Sequence, residues 1–370
     1  MTSPPHISNV PSGRASVEVS SSAVAQGRES IRSAKSGAAR IDALDFTKGA
    51  LVLFMVLYHW LNYFVASQGG FYRYLRFLTP SFIFITGFLI SSVYFSKYKI
   101  QGWRISWRLM TRGLKILGLF VLLNVLISLL LKNSYDGTVG SHLFSRENLF
   151  AIFVSGNTTV AGGKAAAFYV LVPISYLLLL AAGVLVVTGF YQYAFHAAAA
   201  LSLCAVAALG WMGVESTNLE LVAIGLLGAI AGYIPLAQIS RVVKHLVWVF
   251  VAYLFYLGAI TFWDVIYPLQ IVGVGLTLML LYILGSISPE PGWLQRHTIL
   301  LGKYSLFGYI VQVAILQLLH RGLRPLQVQR EVTAVSFILA FALTMASVEA
   351  VNWVRSHSPQ VNWLYKVVFS

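Results

Sequence analysis

The chain has 370 residues, of which 58% are hydrophobic and only 10% charged. Its mean hydropathy is +0.76. Soluble domains carry about 25% charged residues, so this composition excludes an ordinary soluble enzyme and points to a polytopic membrane protein. The formal net charge of +14 does not indicate nucleic acid, because the basic residues sit at the ends of apolar segments and form no single soluble patch. Cys204 is the only cysteine, which excludes an intrachain disulfide and a cysteine metal site.

Residues 1–39 are rich in Ser, Ala, Gly and Arg and poor in large apolar side chains. They bury too little surface to offset ordering entropy and read as a disordered cytoplasmic tail. No apolar core follows the start closely, so a secretory signal is not expected. Residues 40–370 read as one integral membrane domain.

A bilayer core needs about 20 apolar residues in a helix. Ten segments meet this: 46–66, 75–95, 109–131, 165–187, 192–212, 219–236, 243–263, 268–287, 299–319 and 332–354. The stretch 142–154 is too short and too polar to span, and reads as interfacial or re-entrant. The expected fold is therefore an all-α bundle of about ten transmembrane helices, with both termini on one side. An N-terminus inside puts 18 of the 26 Lys and Arg residues on the inner side and 8 on the outer. The positive-inside rule then places both termini in the cytoplasm. The outer loop 320–331 is basic, which suits lipid headgroups or an anionic substrate.

The first span carries the most telling residue, His59. An ionisable side chain inside a span is costly unless it faces protein, water or substrate. Lys48 lies eleven residues earlier, about three turns and roughly 16 Å along the axis, on nearly the same face. Asp45 and Lys48 are i,i+3 neighbours at the inner mouth, and Arg40 precedes them. Asp45 and His59 are the candidate catalytic residues. A donor with an anionic head and a long thin arm fits this face, its head at the charged cluster and its reactive end near His59. The plainer readings are a buried, hydrogen-bonded histidine and a surface ion pair.

The second span holds Pro80, expected to kink it, then Thr86 and Gly87, the glycine permitting close helix approach. The third opens with Arg108, Arg112 and Lys115 at i, i+4 and i+7, one stripe of a helix. Such a stripe facing the bundle suits phosphates; anchoring at the membrane face is the plainer reading. In the ninth span Tyr309 and Gln312 are intramembrane hydrogen-bonding groups, for acceptor binding or interhelical contact. Glu349, near the inner end of the last span, is read as pairing with a cation there. No metal site is expected.

Taken together, these segments resemble the acyltransferase-3 family of integral membrane acyltransferases and its relatives, the heparan-glucosaminide acetyltransferases and glucan succinyltransferases. The opening signature is met by Arg40, Leu44-Asp45, Lys48-Gly49 and His59. Phe82-Ile-Phe84-Ile-Thr86-Gly87-Phe88-Leu89-Ile90 is similar to the family's Phe-Phe-x-x-Ser-Gly-Phe-Leu-Ile. Arg112-Gly-Leu-Lys115 resembles its Arg-x-x-Arg, and Leu301-Gly302-Lys303-Tyr304-Ser305 its late Leu-Gly-x-x-Ser. Glu349 stands where the family often ends its last helix with a glutamate. The departures are Lys48 and Lys115 in place of arginine, which keep the charge and lose the planar fork, and Thr86 in place of serine.

The resemblance implies transfer of an acetyl or succinyl group from acyl-CoA, a co-substrate with no bound cofactor, to a hydroxyl or less often an amine of a glycan or small envelope molecule. It implies a bacterial cytoplasmic (inner) membrane and donor contacts from Arg40, Lys48, Arg108, Arg112 and Lys115. His59 is expected to act as general base or as a covalent acyl carrier. Membrane lipids are the other expected partners. A transporter or flippase, and a non-catalytic partner of an envelope complex, are the competing readings; sparse mid-membrane charge argues against an ion-coupled carrier.

Overall fold

The computed structural model describes residues 42–65, 69–95, 102–130, 146–157, 159–160, 163–164, 167–188, 193–239, 244–287, 291–323 and 330–369. All of them belong to one unit, Ile41–Ser370. The tail expected over 1–39, Arg40 and residues 324–329 of the basic loop 320–331 lie outside the described residues.

Helices dominate. In chain order they are α1 (Asp42–Trp60), α2 (Leu78–Leu89), α3 (Gly102–Leu130), α4 (Arg146–Phe150), α5 (Leu171–Thr188), α6 (Ala194–Trp211), α7 (Thr217–Ala231), α8 (Leu246–Phe262), α9 (Tyr267–Ser286), α10 (Trp293–Lys303), α11 (Ser305–Leu323), α12 (Arg330–His357) and α13 (Pro359–Phe369). Short π-helical turns extend α1 (Leu61–Val65), α2 (Ile90–Phe95) and α4 (Ala151–Ser155). Among the described residues the strands are one two-residue antiparallel pair, Thr159–Val160 with Gly163–Lys164.

Nine of the ten apolar segments each lie mainly on one helix, and the other, 299–319, is divided between α10 and α11. Among the described residues, seven stretches are long and apolar enough to cross a membrane: Asp42–Val65, Gly70–Ser92, Trp103–Ile127, Ala194–Trp211, Tyr267–Ser286, Ser305–Leu323 and Thr333–His357. The other three, on α5, α7 and α8, are shorter. Helix α7 has 15 residues, about 22 Å of rise against a hydrocarbon core of about 30 Å. It is sheathed by protein: α2, α5 and α6 pack around it.

Two details differ from the sequence reading. Pro80 lies in the first turn of α2, where a missing N–H breaks no helical hydrogen bond, so it marks a start and kinks nothing. The ninth span begins at Ser305, not at 299, because the chain breaks at Tyr304 between α10 and α11.

Glycines set the closest helix contacts. A Cβ on Gly87 would collide with the carbonyl oxygen of Gly225, and one on Gly228 with that of Phe84. Thus α2 and α7 meet backbone to backbone, as small residues allow in membranes. The same holds between α1 and α10, where Gly49 abuts the Thr298 carbonyl and Gly302 the Asp45 carbonyl. Helix α1 is the hub: α2, α9, α10, α11 and α12 all pack on it.

Basic residues between spans also do structural work. Arg73 donates through Nη1 to the carbonyls of Ile260 (3.4 Å) and Thr261 (3.0 Å). These are orphan acceptors at the C-terminus of α8, where a cation also meets the negative end of the helix dipole. Arg76 donates to the Val265 carbonyl at 3.3 Å.

Candidate active site

The site starts on α1, which is unbroken from Asp42 to Trp60. At its first turn Asp45 is buried, 4% exposed, and forms an ion pair with Lys48. Its backbone lies against Gly302 of α10. His59 sits fourteen residues on from Asp45, about 21 Å along the axis, so the two do not touch. Lys48 and His59 do share a face, as their spacing predicts.

Around His59 the structure gathers aromatic rings. Its ring centroid is 5.3 Å from that of Tyr58 and 6.3 Å from that of Tyr309 on α11. Tyr58 meets Tyr72 edge to face at 5.3 Å. Tyr309 meets Phe168 edge to face at 5.9 Å. His59 is half-buried as a whole, while its Nε2 has almost no solvent exposure.

Phe168 is buried and has φ +58°. A non-glycine residue in this region costs roughly 1–2 kcal/mol, so neighbours must hold it there. Asn124 of α3 does so on one side: it donates to the Ala167 carbonyl at 3.0 Å and accepts from the Ala167 N–H at 2.8 Å. Tyr169 does so on the other, donating its hydroxyl to Asn218 Oδ1 at 2.6 Å.

The same asparagine anchors the stretch expected to be interfacial or re-entrant. Three consecutive carbonyls there accept from side chains of other elements: Ile152 from Asn218 (2.9 Å), Phe153 from Tyr176 (2.9 Å) and Val154 from Ser216 (2.9 Å). Ile152 is fully buried. One face of 148–154 packs into the bundle, with Asn148 and Ile152 buried and Phe150 and Val154 exposed, and these three carbonyls are satisfied there, as burial requires.

The remaining candidates are placed as follows. Arg108 and Lys115 are exposed and Arg112 half-buried. Their stripe flanks the buried face of α3 (Ile105, Leu109, Ile116, Phe120), which packs on α5. Thr86 donates back to the Phe82 carbonyl at 2.8 Å, a bond internal to α2. Glu349 meets the His297 ring of α10 at 2.9 Å, a contact to an imidazole and not to the lysine or arginine of a fixed ion pair. Lys48 and Asp45 pair with each other, and the pair is largely buried where the plainer reading expects it at the surface.

Gln312 is fully buried, and neither polar atom of its amide has a hydrogen-bond partner among the described residues. One turn before it, Gly308 faces Val52 and Val348. One turn after it, Leu316 joins Val56 and Ala340 in a buried apolar cluster. Gln312 therefore lies in the seam of α1, α11 and α12, without the interhelical bond its type suggests. An unmet buried amide costs about 1–3 kcal/mol. Gln312→Leu is accordingly expected to raise the thermal melting temperature of the purified protein; a lowered one would mean the amide holds a partner that matters.

Sequence reasoning did not single out Phe168, Tyr58, Tyr72, Asn124 or Asn218. Asn124 carried a usable signal, a lone amide inside an apolar span.

Comparison with known proteins bears on this geometry. Residues 40–137 match the family described as heparan-alpha-glucosaminide N-acetyltransferase, catalytic. The match covers 98 of 370 residues. It takes in α1 to α3 whole, and with them Asp45, Lys48, His59, Thr86, Arg108, Arg112 and Lys115. Comparison with curated proteins and with solved structures gives no match. The matched stretch and the long apolar helices support a transferase embedded in a membrane.

Proposed function

We propose that the protein moves an acyl group, acetyl or succinyl, from acyl-CoA to a hydroxyl of a glycan or other envelope molecule, within a bacterial inner membrane. One observation carries the reading: His59 stands against the rings of Tyr58 and Tyr309, on the same unbroken helix, and the same face, as the Asp45–Lys48 pair three turns away. The likeness of residues 40–137 to an acetyltransferase's catalytic segment supports it. The wider acyltransferase-3 resemblance supports it too, as do the late Leu301-Gly302 and Ser305 positions. Both termini lie in the cytoplasm in this reading, on the strength of the charge bias.

The chemistry is a single displacement. The His59 imidazole takes the proton of the acceptor hydroxyl as its oxygen attacks the thioester carbonyl. A C–O bond forms, the C–S bond breaks, and the departing thiolate of CoA receives a proton. An acyl-histidine intermediate is the two-step variant. Lys48, with Arg40, Arg108, Arg112 and Lys115, attracts the phosphates of the donor. Asp45 acts at the mouth, holding Lys48 in place.

The test is release of free CoA thiol from acetyl-CoA by the purified protein in lipid nanodiscs, with a gluco-oligosaccharide present. Acetylated sugar is expected. An intact thioester, or sugar counterflow in liposomes, would favour a carrier instead. Arg112→Ala is expected to raise the KM for acetyl-CoA roughly tenfold, the loss of one charge-assisted contact. An unchanged KM would leave the stripe as an anchor only.

A further inference from the structure

The far end of α1 holds a second cluster that the proposed chemistry leaves unused. Beyond His59 the helix loosens into the π turn Leu61–Val65. Such turns are rare and recur at functional sites. The wider turn brings two successive residues to one partner: the rings of Tyr63 and Phe64 each lie 5.6 Å from that of His320 on α11. Gln317 donates its amide to the Tyr63 hydroxyl at 3.2 Å.

Beneath the rings the floor is apolar and closed, made by Val56, Leu316 and Ala340, all at 0% exposure. The rings themselves, with Gln317 and His320, are only half-buried. Trp60 closes one side, fixed by a bond to Ser336 at 2.9 Å and by Phe337 at 4.8 Å. Tyr63 is one turn beyond His59, about 6 Å along the axis. A small ring seated on Tyr63 would bring its edge to the imidazole.

We propose that this end of the α1–α11 seam is the acceptor subsite, and that it takes a pyranose ring, its C–H face against Tyr63 and Phe64 and its hydroxyls on Gln317 and His320. The proposal rests on the acyl-transfer reading above. A pyranose has one face of polarised C–H groups and a rim of hydroxyls. Aromatic faces carry negative charge and attract the first; an imidazole and an amide offer both donors and acceptors to the second. A lipid tail would make no use of His320 and Gln317.

The experiment compares two alcohols with purified protein and acetyl-CoA: methyl β-D-glucopyranoside, and sorbitol, which has hydroxyls but no ring face. The wild-type protein is expected to acetylate the glucoside and to use sorbitol poorly. Tyr63→Ala is expected to raise the KM for the glucoside about tenfold and to leave the KM for acetyl-CoA unchanged. Tyr63→Phe, which keeps the ring, is expected to recover most of the loss. If Tyr63→Ala does not accumulate as folded protein, Gln317→Leu is read in its place, with a several-fold rise expected. Equal use of the two alcohols, or variants that move neither KM or both together, would overturn the subsite while the transfer reading stands. A wild-type protein that leaves acetyl-CoA intact would overturn both.

Discussion

His59→Ala is expected to lower acyl transfer from acetyl-CoA by about 10²–10⁴-fold, the usual contribution of a positioned acid–base group. The protein should still fold. His59 is half-buried, edge-on to Tyr58 and tilted against Tyr309, instead of filling a sealed core position, so truncation removes chemistry before it removes stability. The measurement is single-turnover transfer by detergent-purified protein, set beside its melting temperature. Wild-type rates in a folded variant would end the assignment.

The same variant separates the two forms of the mechanism. If His59 only carries a proton, quenched wild-type protein shows no modified peptide. If His59 carries the acyl group, the peptide containing it gains the mass of an acetyl when donor is supplied without acceptor, and the gain vanishes in His59→Ala. Tyr309→Phe is the companion change. It preserves the ring beside His59 and removes the hydroxyl, so a loss much smaller than that of His59→Ala separates orientation by the ring from any part played by the phenol.

The helices were legible because a span announces itself twice, by its length and by its lack of charge. The face shared by Lys48 and His59 was legible for a similar reason: once α1 is a helix, 3.6 residues per turn decides it. What escaped was structure without a strong local period. Helix α10 is short and amphipathic, and its last apolar residues, Ile299-Leu-Leu301, run almost into the apolar start of α11. The break at Tyr304 is made by tertiary contacts. The Tyr304 hydroxyl donates to Asn352 at 2.9 Å, and Arg355 stacks on Tyr304 and Tyr365. Helix α13 was missed for the same reason, since its docking depends on Tyr365 and on Asn362, which accepts from Arg355 at 2.8 Å.

The site shows the same division. Tyr309 and Gln312 stood out as polar residues in an apolar run, and one of the two does lie beside His59. Phe168 did not stand out, because no composition rule marks a phenylalanine forced into left-handed backbone. Its position depends on Asn124 and Asn218, side chains from helices distant in sequence. The cations of α3 read as a stripe and are a stripe. Whether a stripe faces a ligand is decided by the neighbouring helix, and α3 turns its buried face to α5.

Gly302→Val is expected to be the most damaging single change to the fold, costing about 3 kcal/mol or more. Small-to-large changes in a filled interior cost about 1–3 kcal/mol when side chains can yield. Here the obstacle is the Asp45 backbone carbonyl, with Gly49 N beside it. The reciprocal contact faces Gly49, whose Cβ would strike the Thr298 carbonyl. Neither helix can turn a rotamer to make room, so α10 must move off α1 and take the Asp45–Lys48 end of the proposed donor path with it. The measurement is the yield of monodisperse protein and its melting temperature in detergent. Gly275→Ala is the control: nothing lies within 4 Å of a Cβ there, and replacing glycine inside a helix stabilises by roughly 0.5–1 kcal/mol. If Gly302→Val and Gly275→Ala melt alike, the backbone contact is not real. Because the two glycines face each other, their effects should not add. Once Gly302→Ala has pushed the helices apart, Gly49→Ala should cost much less than it does alone, a coupling expected only of residues in direct contact. The late Leu-Gly-x-x-Ser motif then has a physical reason: its glycine is where α10 touches the helix that carries His59.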